Sequence, residues 1–89
     1  MTTFTKDPSA VLDYAIDWSK WLAGDQILES AWSVSDPALE ATDETSTATQ
    51  ATVWLSGGAV GTSYTVTNKI TTQAGRIDER SFIVQVQDR

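Results

Sequence analysis

The chain has no cysteine and no histidine among its 89 residues. The first absence excludes disulfides and thiolate metal sites, so a domain of this size must stand on one small core. The second removes the side chain that most often serves as general base, pH switch and transition-metal ligand. Cations are scarce as well: six Lys and Arg face twelve Asp and Glu, for a net charge of −6. Such a balance favours solubility and repels phosphate backbones and anionic lipid, which argues against nucleic-acid and membrane partners. No apolar run approaches the length of about 18 residues that marks a spanning helix. The opening "MTTFTKDPSA" lacks the regions of a signal peptide, so the expectation is a protein cytosolic at synthesis.

What is present reads as all-β. Short apolar segments recur between Gly, Pro, Asp and Ser signals every 8–12 residues or so, the pattern of a sandwich or barrel. Residues 1–10 read as an extended lead-in and 11–89 as a single β-sandwich domain of about seven short strands, with a radius of gyration of roughly 12 Å if compact. In "YTVTNKIT" Tyr64, Val66, Asn68 and Ile70 alternate with Thr65, Thr67, Lys69 and Thr71, as on a half-buried strand. "TQAGR" supplies a turn, and "RSFIVQV" places Phe82, Val84 and Val86 on one face, which predicts a hairpin. "ATVWLSGG" is a third strand, with Val53 and Leu55 opposite Trp54. "ILESAWSVS" is a fourth, with Leu28, Trp32 and Val34 on a common face. Between these two, a weak edge strand is expected near Leu39 and a mobile polar loop around Asp43 to Thr49.

"LDYAIDWSKWL", Leu12 to Leu22, fits two templates. With period 3.6, Val11, Tyr14, Ala15, Trp18 and Leu22 form a helical stripe; with period 2, Leu12, Tyr14, Ile16 and Trp18 form the inner face of a strand. A sandwich needs roughly seven strands, and the chain is short of them if this segment is helical. The favoured reading is a strand from about Val11 to Trp18, followed by a tight turn through "SKWL".

Few residues could carry chemistry. "SGGAVGTSY" has the glycines of a phosphate loop but runs into a strand rather than a helix, and no lysine follows until Lys69. It reads better as an inter-strand turn with a tyrosine corner, Tyr64 burying its ring and returning its hydroxyl to backbone near Ser56 to Val60. Asp43/Glu44 and Asp78/Glu79 lack the closely spaced oxygens that calcium requires and read as solvated charge. Lys20 and Lys69 sit where deep burial is not expected, so neither suits a depressed-pKa base. Arg76 and Arg80 flank the acids of "RIDER" and mark a solvated or interfacial edge. The four tryptophans divide: Trp18 and Trp32 share faces with aliphatic residues and belong with Tyr14 and Tyr64 in a structural role. Trp21 and Trp54, with Arg76 and Arg80, are the candidate interface residues. No catalytic, metal or cofactor-binding residue is assigned.

Several pieces together resemble a known family: "KDPSAVLDYAIDWSKWL", "AWSV" and "TVWLSGGAVGTSYTVTNKITTQAGRIDERSFIVQV". They are similar to small proteins encoded among the tail genes of tailed bacteriophages and described as fiber-tail adaptor proteins. The specific parts are Asp17-Trp18, Trp21-Leu22, Trp54 to Gly58, Gly61 to Tyr64 and Thr72 to Arg80; Asp36 to Gln50 carries no matching pattern. The resemblance implies an immunoglobulin-like β-sandwich that joins tail fibres to the tail or head-to-tail connector, made in the host cytoplasm and carried in the virion. Its partners would be tail, connector and fibre proteins, met by several copies in an assembled ring, with a monomer in solution. Two rival functions stand beside it. One is a carbohydrate-binding module that stacks sugars on Trp21 and Trp54; the other is a small hydrolase using carboxylates such as Asp17, Asp25 or Asp78.

Overall fold

The computed structural model of the chain describes residues 2–88. Seven strands and one helical turn follow in order: β1 Thr3–Lys6, β2 Val11–Asp17, α1 Ser19–Leu22, β3 Ile27–Val34, β4 Leu39–Ser46, β5 Gln50–Gly57, β6 Ser63–Thr72 and β7 Ile77–Val86. They form two sheets, β1-β7-β6-β3 and β2-β5-β4, so the chain folds as the expected all-β sandwich. β1 runs parallel to β7, and the other neighbours are antiparallel. The extended lead-in therefore contributes to the sandwich itself, because Thr3–Lys6 completes the edge of the larger sheet.

Alternation decides which faces close on the core. Val53 and Leu55 of β5, Leu39 of β4, Tyr64 and Val66 of β6, and Phe82, Val84 and Val86 of β7 form the main buried cluster. Trp18, Leu22, Ile27 and Ile70 form a second one, joined to the first through half-buried Ile16. Period 2 over ten residues makes the β6–β7 hairpin long, and the molecule is elongated: 42 × 23 × 19 Å, with a radius of gyration of 13.5 Å rather than about 12 Å.

Residues 11–17 are a strand, its seven residues paired with β5 from Val11↔Ser56 to Asp17↔Gln50. "SKWL" then closes one helical turn, which Ala23 ends in the left-handed region at φ 50°. Two expectations are corrected, each by a bulge. Between Ile27 and Glu29 the β3–β6 register shifts, so Ile27 takes the buried position and Leu28 is 61 % exposed instead of sharing a face with Trp32. The polar segment expected to be a loop from Asp43 is strand as far as Ser46. Its pairing jumps from Thr42↔Trp54 to Thr45↔Thr52, with Asp43 at φ 51° in the bulge. Both faces of this stretch are exposed, so hydrophobic alternation could not report it; backbone pairing with β5 holds it.

Candidate functional site

One end of the sandwich gathers Trp18, Trp21, Arg76 and Arg80. Trp18 lies just past the end of β2, fully buried, and its Nε1 donates to Asn68 Oδ1 at 2.9 Å. Asn68 sits on the apolar face of β6; its Nδ2 donates to Ser30 Oγ at 2.8 Å and to Ala31 O at 3.2 Å, so β3, β6 and the β2 end are tied through one buried amide. The Trp21 ring meets Trp18 edge-on at 5.3 Å. The Arg76 guanidinium lies 4.3 Å from the Trp21 ring centre and that of Arg80 4.3 Å from the Trp18 ring centre, both at cation–π distance.

Arg76 does more than stack. Its Nε pairs with Asp25 Oδ2 at 3.1 Å, and its Nη2 donates at 2.8 Å to Leu22 O, a carbonyl at the end of α1 that also accepts the Asp25 N–H. Thr72 Oγ1 accepts the Arg76 backbone N–H at 3.0 Å. The hydroxyl of Thr72 is the main cause that holds the Asp25 carboxyl down at about 2, helped by the Gln26 and Ala74 amides and by Arg76. These bonds fasten the β6–β7 turn to the α1–β3 connection. Asp17 is lowered too, chiefly by the Ser19 backbone N–H and then its hydroxyl.

The candidate interface residues thus separate. Trp21, Arg76 and Arg80 are brought together, but each is engaged within the chain: Trp21 is half-buried under Arg76, and Arg80 Nη1 donates to Asp17 O at 3.3 Å. Trp54 stands apart on the outer face of the smaller sheet, 38 % exposed, with Asp13 and Thr42 as its cross-strand neighbours. Among the residues read as structural, Trp32 meets Phe82 edge-on at 6.1 Å, and its Nε1 is buried with no hydrogen-bond acceptor among the described residues. Tyr14 stacks on Phe82 at 5.5 Å and meets Phe4 at 5.1 Å. The Tyr64 hydroxyl accepts the Ala59 N–H at 2.8 Å, inside the expected Ser56–Val60 segment.

The glycine-rich turn has its amides committed to the fold. Gly58 N donates to Ala38 O at 2.9 Å, Ala59 N to the Tyr64 hydroxyl at 2.8 Å and Gly61 N to Val86 O at 2.8 Å, so these amides are engaged within the fold. Glu44 accepts the Trp32 backbone N–H at 3.3 Å, and Asp78 accepts that of Glu79 at 2.8 Å, so one acid of each pair satisfies backbone. Among the described residues no three Asp or Glu side chains group as metal ligands do.

Lys6 went unremarked in the sequence. It is buried, with Nζ donating to Gly57 O at 2.8 Å and Asp7 O at 2.9 Å, and desolvation pulls its pKa down against the opposing charge of Asp7. A lone Lys between Thr5 and Asp7 carries no periodic signal; Asn68, by contrast, stood out as a polar residue on an apolar face.

Residues 6–85 match the family described as podophage GP4 fiber-tail adaptor protein gp77. The chain belongs to this family. The match begins at Lys6 and reaches Gln85, so it spans the sandwich from the end of β1 to β7 and includes Trp18, Trp21, Trp54, Arg76 and Arg80. Membership marks the chain as a component of a phage tail, in a family that is structural and binds other tail proteins. No curated protein matches the chain.

Proposed function

We propose that this protein is a non-enzymatic adaptor that joins tail fibres to the tail or head-to-tail connector by protein–protein docking, in several copies around the tail axis. The family match over residues 6–85 carries the reading. The chain's chemistry agrees with it: there is no histidine, and Asp25, Glu44, Arg76 and Arg80 bond within the fold. Synthesis in the host cytoplasm precedes incorporation into the virion. The strand pairing supports an immunoglobulin-like assignment, since β3-β6-β7 and β2-β5-β4 reproduce the C-F-G and B-E-D neighbours of that sandwich.

Trp54 is the interface residue best placed to meet a partner, an aromatic anchor in the middle of an open sheet face. The carbohydrate-binding alternative loses one of its two platforms, because Arg76 covers a face of Trp21 and Trp54 lies on a different surface. The deciding experiment is uptake of the purified chain by tail particles assembled without it, followed by fibre attachment. Saturable uptake that restores fibres is the expected result. Failure of the wild-type chain to bind such particles, at any concentration that keeps it folded, removes the adaptor reading.

A further inference from the structure

A sandwich of two open sheets has four edge strands, and here they are unequal. β1 has four residues; β3 carries the Leu28 bulge, and the Trp32 N–H of that strand is occupied by Glu44. β4 carries the Asp43 bulge. Short strands, bulges and side-chain cover are the usual means of blunting an edge. β2 is neither that short nor bulged: its seven residues run in unbroken register with β5 without proline, glycine or lysine, and the side-chain cover given among the described residues lies at its last residue, where Arg80 reaches the Asp17 carbonyl.

The direction of its backbone groups follows from the ladder. Trp18 N donates to Thr49 O at 2.8 Å, the next rung after Asp17↔Gln50. In an antiparallel pair the bonded residues alternate, so Ile16, Tyr14 and Leu12 also bond toward β5. The N–H and C=O groups of Val11, Asp13, Ala15 and Asp17 therefore point to the open edge. Arg80 reaches the Asp17 carbonyl from that side, as this alternation requires. The edge is also apolar: Phe4, Val11 and Leu12, three of the seven exposed large hydrophobic residues among those described, line the β1–β2 side. Beside the C-terminal half of β2, a depression of about 240 Å³ opens between the sheets, lined by Phe4, Ile16, Phe82 and Arg80 among others.

We propose that β2 is the docking edge of the adaptor, and that it receives an extended, basic segment of another tail protein as an added strand. The added strand takes backbone bonds from Asp13 and Ala15, lays an apolar side chain into the depression beside Ile16, and sets cations on the outer face against Asp13 and Asp17. Charge selects this occupant over a second copy. Two β2 strands paired antiparallel about Ala15 bring Asp13 of each opposite Asp17 of the other, where like charges destabilise the pair, and in any register each copy brings a net charge of −6. The proposal rests on the adaptor reading for the source of the segment, and on the edge geometry alone for the mode.

The test uses the full chain with an acetylated peptide of alternating lysine and valine, read by amide hydrogen exchange. Protection of the Asp13 and Ala15 amides is expected. Ala15→Pro removes an N–H that faces outward, which an edge strand tolerates, and should weaken peptide binding about tenfold, the worth of one backbone bond. Asp13→Lys should weaken it as well while leaving the ladder and the Asp17–Ser19 bonds untouched, which covers the case of Ala15→Pro failing to fold. Protection at β1, β3 or β4 instead, or none, overturns the assignment. A concentration-dependent dimer protecting the β2 amides overturns the choice of occupant. In adaptor-free particles, equal uptake of folded Ala15→Pro and wild type overturns the strand-addition mode and leaves the adaptor function standing. Uptake of neither chain, together with peptide protection of β2, overturns the function and leaves the mode.

Discussion

Trp18 and Trp32 are the same side chain under opposite hydrogen-bonding conditions, and replacement by phenylalanine separates ring packing from the indole N–H. Trp18→Phe shrinks a fully buried ring and strands the Asn68 carbonyl oxygen, at an expected cost of about 2–4 kcal/mol. Trp32→Phe removes a buried donor that has no acceptor among the described residues, so the expected change is within about 1 kcal/mol. Urea midpoints at an unchanged m-value measure both. Asp25 makes a pH prediction. Its folded pKa is lowered from 3.8 to about 2, so between those values the unfolded chain binds more protons than the native one. The stabilisation is present in full above pH 3.8 and is lost as pH falls toward 2. Asp25→Asn should flatten that part of the stability curve, as followed by acid titration of tryptophan fluorescence. Residue-scale chemistry was only partly legible. Asn68 could be seen breaking an apolar alternation, but its bond to Trp18 crosses 50 positions, and Lys6 reaches Gly57 across 51.

At the scale of elements, the glycine-rich turn between β5 and β6 is set by one close approach. Gly58 has φ 97°, and a Cβ there would lie 2.7 Å from Val86 Cγ2, in the middle of the main core. Gly58→Ala therefore meets backbone strain and a packing clash together, about 2–4 kcal/mol. Gly75→Ala, at φ 89° in open space, incurs the backbone part alone, about 1–2 kcal/mol. With roughly 4–8 °C of melting temperature per kcal/mol for a domain of this length, differential scanning calorimetry resolves the two. The β6–β7 hairpin was readable because apolar alternation and the turn at Gly75 agree. β4 beyond Thr42 was not, since an exposed bulged edge needs neither alternation nor apolar residues. Leu28 was misplaced because a bulge shifts the inward phase by one without marking the sequence.

For the whole molecule, a charge of −6 spread over 89 residues opposes self-association, and the isolated chain should be monomeric in native mass spectrometry at micromolar concentration. A ring of copies then forms only on a symmetric tail surface. A stable dimer at that concentration, with no affinity for any tail component, would count against the assembly proposed here. The sequence by itself determined the class of this protein. Period-2 patterning set an all-β sandwich, the missing cysteine and histidine removed most site chemistry, and the spaced motifs from Lys6 to Val86 carried the family. These are properties of local order and composition, which the chain states directly. Only the tertiary structure decided what the selected side chains do. Arg76 and Arg80, read as edge contacts, close over Trp21 and Trp18 across more than fifty residues of chain, whereas Trp54 remains outside. Which of four edges stays open was likewise invisible, because edge status depends on which strands find partners, and pairing is a relation between distant segments.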